Sequence, residues 1–478
     1  MFRFGRHFVR VKEIKAFEQR LHHYLVDHPG QLSDAHTVLF RYALRLAQVN
    51  LFKNEEGQDI NLSPQIDPFR RWIHETLITT IPEKGKVDLR GLREIAPILQ
   101  IRTEKIRAEI FESRKNDFSP AYFDADLSQK KLAIVLGGGG GSGLLHLGLF
   151  SLLSDLGITP ELVVGSSMGA LLGMIRVMKR DYDPVATALT LPKQFDYTTI
   201  FKPFTGYSRY GFPGAFHLNL LRTATEIFTA GFGNSMPRFS DLPVKFEVVA
   251  TGIRKGFKLD EKKYEKFRDP GNANPLAARK RMQLFFSAVR QLSKNSRFLT
   301  QVVFGREDTK DFPIIEAAGF SCSVPGLLHY DVFHDDPDTV EPLDAMFEKN
   351  ELLRLCDGGI VSNVPSRVAW ESVQLGSIGT RNAHIMSFDV FAPIPSSRNM
   401  LWIPAQQYAR SAVLSNIPYS DHHIVYKNTP SPLYLFVNSY TKLKTIVESS
   451  HEQLADSVKY LTAALEPLNL KLCFPEKE

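Results

Sequence analysis

The sequence predicts an α/β fold with a mostly parallel central sheet and a helical region ahead of it. Three observations predict this. The apolar run Lys131–Leu136 opens into the glycine loop Gly137–Gly143 and then into the helix-like stretch Leu144–Leu153. A second apolar run, Leu162–Val164, closes on a serine held between glycines. Ahead of both, the chain places apolar residues at helical spacing. Strand, loop, helix and strand make one βαβ unit, whose right-handed crossover sets both loops at the carboxyl edge of neighbouring parallel strands.

Taken in order, Val11–His28 sets Phe17, Leu21, Tyr24 and Leu25 on one helical face, and His36–Phe52 and Gly91–Arg114 follow the same pattern. Pro64–Pro68 and Asp117–Asp126 read as connections. Residues 1–126 are therefore expected to form a helical N-terminal region, 127–400 the α/β domain that carries these loops, and 401–478 a mostly helical extension. Within that extension Leu401–Asn416 and Ser449–Leu465 read as helices and Leu433–Val437 as an extra strand. There are no internal repeats and no low-complexity tracts.

Ser167 stands in Gly165-Ser166-Ser167-Met168-Gly169 directly after a strand. A strand-to-helix turn this tight excludes bulk at the flanking positions and thrusts the hydroxyl into the open, as a nucleophile requires. The glycine loop presents unhindered N–H groups at a helix N-terminus, a site for an anion; beside a nucleophile that anion is the oxyanion of acyl transfer. Gly138-x-Gly140-x-x-Gly143 also fits a dinucleotide fingerprint, but the second strand ends on Gly165-Ser166-Ser167 where that fingerprint wants an acidic residue. Farther on, Asp357-Gly358-Gly359 ends a short apolar strand, and its glycines let backbone approach the carboxylate.

A glycine loop, a Gly-x-Ser-x-Gly elbow and an Asp-Gly-Gly loop in this order resemble the patatin-like phospholipase family. Phe239–Pro243, Phe246–Gly252 and Ala317–Gly326 add to the likeness, which covers roughly Leu132–Pro393. The resemblance implies a three-layer patatin-like fold and a lipid acyl hydrolase of phospholipase A type. Ser167 would be the nucleophile, Asp357 its partner in a Ser-Asp dyad, and the amides near Gly138, Gly139 and Gly140 the oxyanion hole; Gly141, Gly143, Gly165, Gly169, Gly358 and Gly359 would shape the loops. The chain departs from the family at Ser142, where Arg or Lys is frequent. Counting residues leaves a Ser-His-Asp triad open through His384, His422, His423 or His451. His146 is implied to be structural. A lipid-surface effector protein with a latent site and an acyltransferase are the competing readings.

The 478 residues carry 58 Lys and Arg against 52 Asp and Glu, a net charge of +6, with 43 % hydrophobic and 23 % charged residues. That is a globular composition. No basic flank, apolar core and cleavage site occur together near Met1, and the uncharged stretch Leu132–Ser154 is broken by five consecutive glycines, so neither a cleavable signal peptide nor a transmembrane helix is expected. Cys322, Cys356 and Cys473 have no metal-type spacing. The expected setting is cytoplasmic or peripheral on a membrane, with no cofactor, no metal and no nucleic-acid partner. Leu276–Leu299 carries Arg279, Lys280, Arg281, Arg290, Lys294 and Arg297 without an acid, and Met282, Phe285, Phe286 and Val289 at helical spacing. It reads either as an anchor on anionic lipid or as a helix packing its apolar face inside. Aromatic residues between Phe195 and Phe232, including Tyr207, Tyr210, Phe212 and Phe216, are candidates for an acyl-chain channel.

Overall fold

The structure, a computed structural model, describes residues 6–184, 187, 200–203, 208–220, 236–261, 264, 275–395, 400–432, 434 and 440–474. Its chain divides into two units, one formed by 1–132, 372–384 and 455–478 and the other by 133–371 and 385–454.

The elements run α1 (Arg6–Asp27), α2 (Asp34–Gln48), β1 (Leu51–Lys53), β2 (Asp59–Asn61), α3 (Ser63–Leu77), α4 (Leu89–Ser113), α5 (Pro120–Ser128), β3 (Lys131–Leu136), α6 (His146–Asp155), β4 (Leu162–Ser166) and α7 (Met168–Val177). Next come β5 (Phe201–Pro203), β6 (Gly214–Leu218), β7 (Lys245–Arg254), α8 (Pro275–Lys294), β8 (Leu299–Phe304), α9 (Ile314–Ser321), β9 (Gly326–His329), α10 (Pro337–Lys349) and β10 (Leu352–Cys356). The remainder is α11 (Gly359–Ser362), α12 (Ser366–Gln374), β11 (Ala383–Asp389), α13 (Ile403–Asn416), β12 (His422–Val425) and α14 (Tyr440–Leu465).

In the first unit the expected apolar faces of α1, α2 and α4 meet, joined by a helix that was not expected: Phe17 and Leu21 of α1, Leu39 and Leu46 of α2, Leu99 of α4 and Ile66 and Ile73 of α3 share one buried cluster. Pro64–Pro68 and Asp117–Asp126, read as connections, are instead largely helical. Pro64 and Pro120 occupy the first turns of α3 and α5, where a missing N–H costs nothing because no helical acceptor exists for it. The Ser119 hydroxyl caps α5 by accepting the Tyr122 N–H at 3.3 Å. The core also holds an ionic group. Glu18 accepts from Arg45 at 3.2 Å and from Lys130 at 2.9 Å, all three nearly water-free. Burial pushes the Glu18 carboxyl up, but Lys130 and Arg45 outweigh it and hold the pKa at about 2.

The second unit is mixed α/β around a mostly parallel sheet in the order β10-β7-β4-β3-β11-β12, with β8 also on β7. The β3–β4, β4–β7 and β11–β12 pairs are parallel, and β10 and β8 run antiparallel to β7. Register on β7 matters most. Ser166, at the end of β4, sits opposite Val249, and Cys356, at the end of β10, sits opposite Thr251. Two strands of opposite direction therefore end head-on along one strand, and the residues after them, Ser167 and Asp357, converge.

A smaller sheet, β5-β6-β9, belongs to the same unit. Helix α8 ends at Lys294, short of Leu299, which already begins β8. Its apolar face is inside: Leu284, Ala288 and Leu292 join Phe212 and Ile253, while Phe285 and Val289 join Trp402 and Ala405. Arg290, Lys294 and Arg297 remain exposed. The side chains of Arg279, Lys280 and Arg281, and most of Leu433–Val437, lie outside the described residues. Among the described residues, no helix is long and apolar enough to cross a membrane.

Candidate active site

Ser167 is the turn between β4 and α7 and adopts φ 53°, ψ −127°. A side chain rarely occupies this left-handed region, so the serine is held there against local strain. Its neighbours explain how. The Ser167 N–H donates to Ser321 Oγ at 2.8 Å, and that hydroxyl donates to the Val249 carbonyl at 2.6 Å, stitching the turn to α9 and β7. At Gly169 a side chain would collide with the Leu136 carbonyl, so only glycine lets α7 start against β3.

The Ser167 hydroxyl donates to Asp357 Oδ2 at 2.6 Å, and the other carboxylate oxygen accepts the Gly359 N–H at 2.8 Å. Burial pushes the Asp357 pKa up to about 6, against the lowering effect of those two bonds. Asp357 is fixed from behind as well: Thr251 Oγ1 donates to its carbonyl at 2.7 Å, and its own N–H donates to the Ser323 carbonyl at 2.9 Å.

The glycine loop faces this pair. A Cβ on Gly138 would stand 2.7 Å from the Ser167 Cβ, so the loop reaches the serine only because that position is bare. The N–H of Gly138 is occupied, donating to the Asn363 carbonyl at 3.2 Å, while Asn363 Nδ2 donates to the Gly138 carbonyl at 3.2 Å. Farther along, the Gly141 N–H donates to the Pro432 carbonyl at 2.9 Å. Between them, the amides of Gly139 and Gly140 donate to no acceptor among the described residues. His146 Nε2 lies 2.9 Å from the Gly137 carbonyl, and burial lowers its pKa to about 4. The ring is therefore neutral near pH 7, and its Nε2–H is the donor to that carbonyl.

Gly139, Gly140, Ser167 and Asp357 open into a cavity of about 120 Å³ walled by apolar side chains. Phe285 and Val289 come from α8, Trp402, Ala405 and Tyr408 from α13 and its approach, and Leu327 and Phe391 complete the wall. Tyr210 and Phe212 are core residues outside this wall, Phe216 pairs with Phe201 at 6.3 Å, and Tyr207 is outside the described residues.

Among the described residues, the partners of the Ser167–Asp357 pair include none of the four histidines on the carboxyl side of Asp357. His423 Nδ1 lies 2.8 Å from Ser387 Oγ, and His384, in the first unit, packs edge-on to His22 at 6.5 Å. Asp357 receives side-chain bonds only from Ser167 and Gly359 among the described residues. Ser321, Asn363, Trp402 and Tyr408 were not singled out in the sequence. The Asn-x-Pro shortly after Asp-Gly-Gly offered a faint local signal for Asn363; nothing local marked the other three.

Residues 134–370 match the family model described as Patatin-like phospholipase. The chain carries a patatin-like phospholipase domain. All three motif loops of this patatin-like domain lie inside the matched range. Over 106 residues the chain is 33 % identical to Lysophospholipase NTE1 of Chaetomium globosum, covering 19 % of this chain and 7 % of that protein. Over 107 residues it is 33 % identical to Lysophospholipase NTE1 of Pyricularia oryzae, covering 20 % and 7 %. Lysophospholipase NTE1 of Kluyveromyces lactis is 38 % identical over 71 residues, covering 15 % and 5 %. The chain spans about 7 % of the length of the first two of these relatives.

Proposed function

We propose that this protein is a lipid acyl hydrolase of phospholipase A type that works through an acyl-enzyme on Ser167. One observation carries the reading: the Ser167 hydroxyl is hydrogen-bonded at 2.6 Å to a buried carboxylate at the wall of an apolar cavity. As Ser167 Oγ attacks the ester carbonyl, Asp357 takes its proton. The carbonyl oxygen becomes an oxyanion and accepts from the unoccupied amides of Gly139 and Gly140. Collapse breaks the ester C–O bond, and the proton held on Asp357 passes to the departing alkoxide. Water then attacks the acyl-enzyme, gives its proton to Asp357, and the fatty acid leaves as that proton returns to Ser167. A pKa of about 6 suits this cycle, because the carboxylate is free at neutral pH yet basic enough to carry a proton between steps.

The cavity accepts an acyl chain, and the name of the relatives, lysophospholipase, favours a single-chain phospholipid as substrate. Purified protein incubated with lysophosphatidylcholine, diacyl phosphatidylcholine and a short-chain nitrophenyl ester tests this. Wild type should release fatty acid, and Ser167→Ala and Asp357→Asn should each lose at least about 10³-fold in rate. Unchanged turnover in either folded variant removes that residue from the mechanism.

A further inference from the structure

The two amides proposed to hold the oxyanion lie between two tethered ones, and the second tether comes from far along the chain. Beside the Gly141 bond to Pro432, Ser142 is 1 % exposed and its hydroxyl donates to the Pro430 carbonyl at 2.8 Å. The segment Tyr426–Pro432 thus lies along the glycine loop as a strap. It is itself fastened to α14: Gln453 Oε1 accepts the N–H groups of Lys427 and Asn428, both at 2.9 Å, and Gln453 Nε2 donates to the Asn428 carbonyl at 3.0 Å. Proline at 430 and 432 fixes φ at both carbonyl-bearing positions, which stiffens the strap where it grips.

We propose that Ser142 is a positioning residue and that the strap holds the glycine loop in its donor-ready form. The inference rests on the reading of Gly139 and Gly140 as oxyanion donors. A glycine loop left to itself has many backbone states, and a free amide turns readily toward a nearby carbonyl or water. Anchors at Gly138 and at Gly141–Ser142 fix the peptide planes on either side, so the two amides between them stay aimed at the cavity before substrate arrives. Pre-aimed donors need no reorganisation during reaction, which is where their catalytic worth lies. The strap and Gln453 lie outside residues 134–370, so this chain supports the matched region with residues of its own C-terminal part.

The test uses the full chain with Ser142→Ala, Gln453→Leu and Gln453→Glu, read in two ways. Amide hydrogen exchange followed by mass spectrometry on a peptide covering 137–145 reports the loop without requiring catalysis. Exchange should rise at least about tenfold in Ser142→Ala and Gln453→Leu, and by a smaller factor in Gln453→Glu, which keeps the acceptor for the Lys427 and Asn428 N–H groups but loses the donor to the Asn428 carbonyl. With a short-chain nitrophenyl ester, kcat should fall about tenfold in the first two variants with KM within about twofold, a fraction of the 10²–10³-fold cost of deleting a donor outright. Gln453→Glu, with only the acceptor half of the grip intact, should fall between Gln453→Leu and wild type. Unaltered exchange overturns the strap, and unaltered kcat overturns the positioning role. If wild type neither hydrolyses the ester nor takes a fluorophosphonate on Ser167, the hydrolase reading fails instead, and the exchange data alone decide the strap.

Discussion

Gly138 and Asn363 hold each other by two hydrogen bonds, the Gly138 N–H to the Asn363 carbonyl and Asn363 Nδ2 to the Gly138 carbonyl, each at 3.2 Å. The pairing ties the glycine loop to the segment that follows Asp357, so proposed donors and proposed base share one frame.

Asn363→Ala removes the side-chain half of this tie and leaves the backbone half. The expected outcome is a fall of about tenfold in kcat for a short ester, with KM little changed, because the loss falls on transition-state donors. Steady-state kinetics at several substrate concentrations checks it; a rise in KM alone would place Asn363 in substrate binding.

With Asp357 as the proposed base, its carboxyl sets the expected pH dependence. Its carboxyl is raised from 3.8 to about 6, chiefly by burial, so the free base forms as pH rises through about 6. The rate should climb through that pH and level off above it. The same shift costs stability: between pH 3.8 and 6 the folded state binds a proton that the unfolded state has lost, so stability falls as pH rises through this window. The size is on the order of 3 kcal/mol. Asp357→Asn should therefore be inactive yet more resistant to denaturant than wild type at pH 7.5. A variant weaker than wild type at that pH would show that the carboxylate is not held at a cost.

In the first unit, Glu18 behaves in the opposite sense. Its folded pKa of about 2 lies below the usual 4.5, so its contribution is complete above pH 4.5 and is lost as pH falls toward 2. Glu18→Gln removes the anion that balances the buried charges of Arg45 and Lys130 and should cost about 3–5 kcal/mol at pH 7. Urea unfolding at pH 7 and at pH 3 measures it, and the gap between wild type and variant should shrink at the lower pH.

The basic residues of α8 and the turn after it provide a membrane test. With the apolar face of α8 buried, an anionic surface would meet Arg290, Lys294 and Arg297 through charge alone, at up to about 1 kcal/mol each near the surface. Changing all three to Glu should weaken sedimentation with phosphatidylserine vesicles in a salt-dependent manner and spare hydrolysis of a soluble ester. Equal sedimentation at low salt would leave them as a solvated face.

Turn chemistry is local, and the sequence displayed it. Gly137–Gly143, Gly165–Gly169 and Asp357–Gly359 were legible because each loop's shape follows from its own residues. The mostly parallel sheet followed from the apolar runs of β3 and β4. Pairing along β7 was not legible, since the head-on ends of β4 and β10 depend on a register between residues about 190 apart. The cavity wall was missed for the same reason. Trp402 and Tyr408 lie in a stretch with no motif, and they join Phe285 only once the chain is folded. Proline misled at Pro64 and Pro120, where it starts helices.

The backbone at Ser167 has a consequence for heat resistance. A Cβ-bearing residue at φ 53°, ψ −127° stores on the order of 1–3 kcal/mol, and marginally stable proteins have little to spare. Alanine there abolishes the hydroxyl but keeps the tension, whereas glycine abolishes both. Any lineage that lost the need for the hydroxyl would gain thermal tolerance by drifting to glycine at 167. Serine at 167 thus trades durability for a hydroxyl held at the cavity.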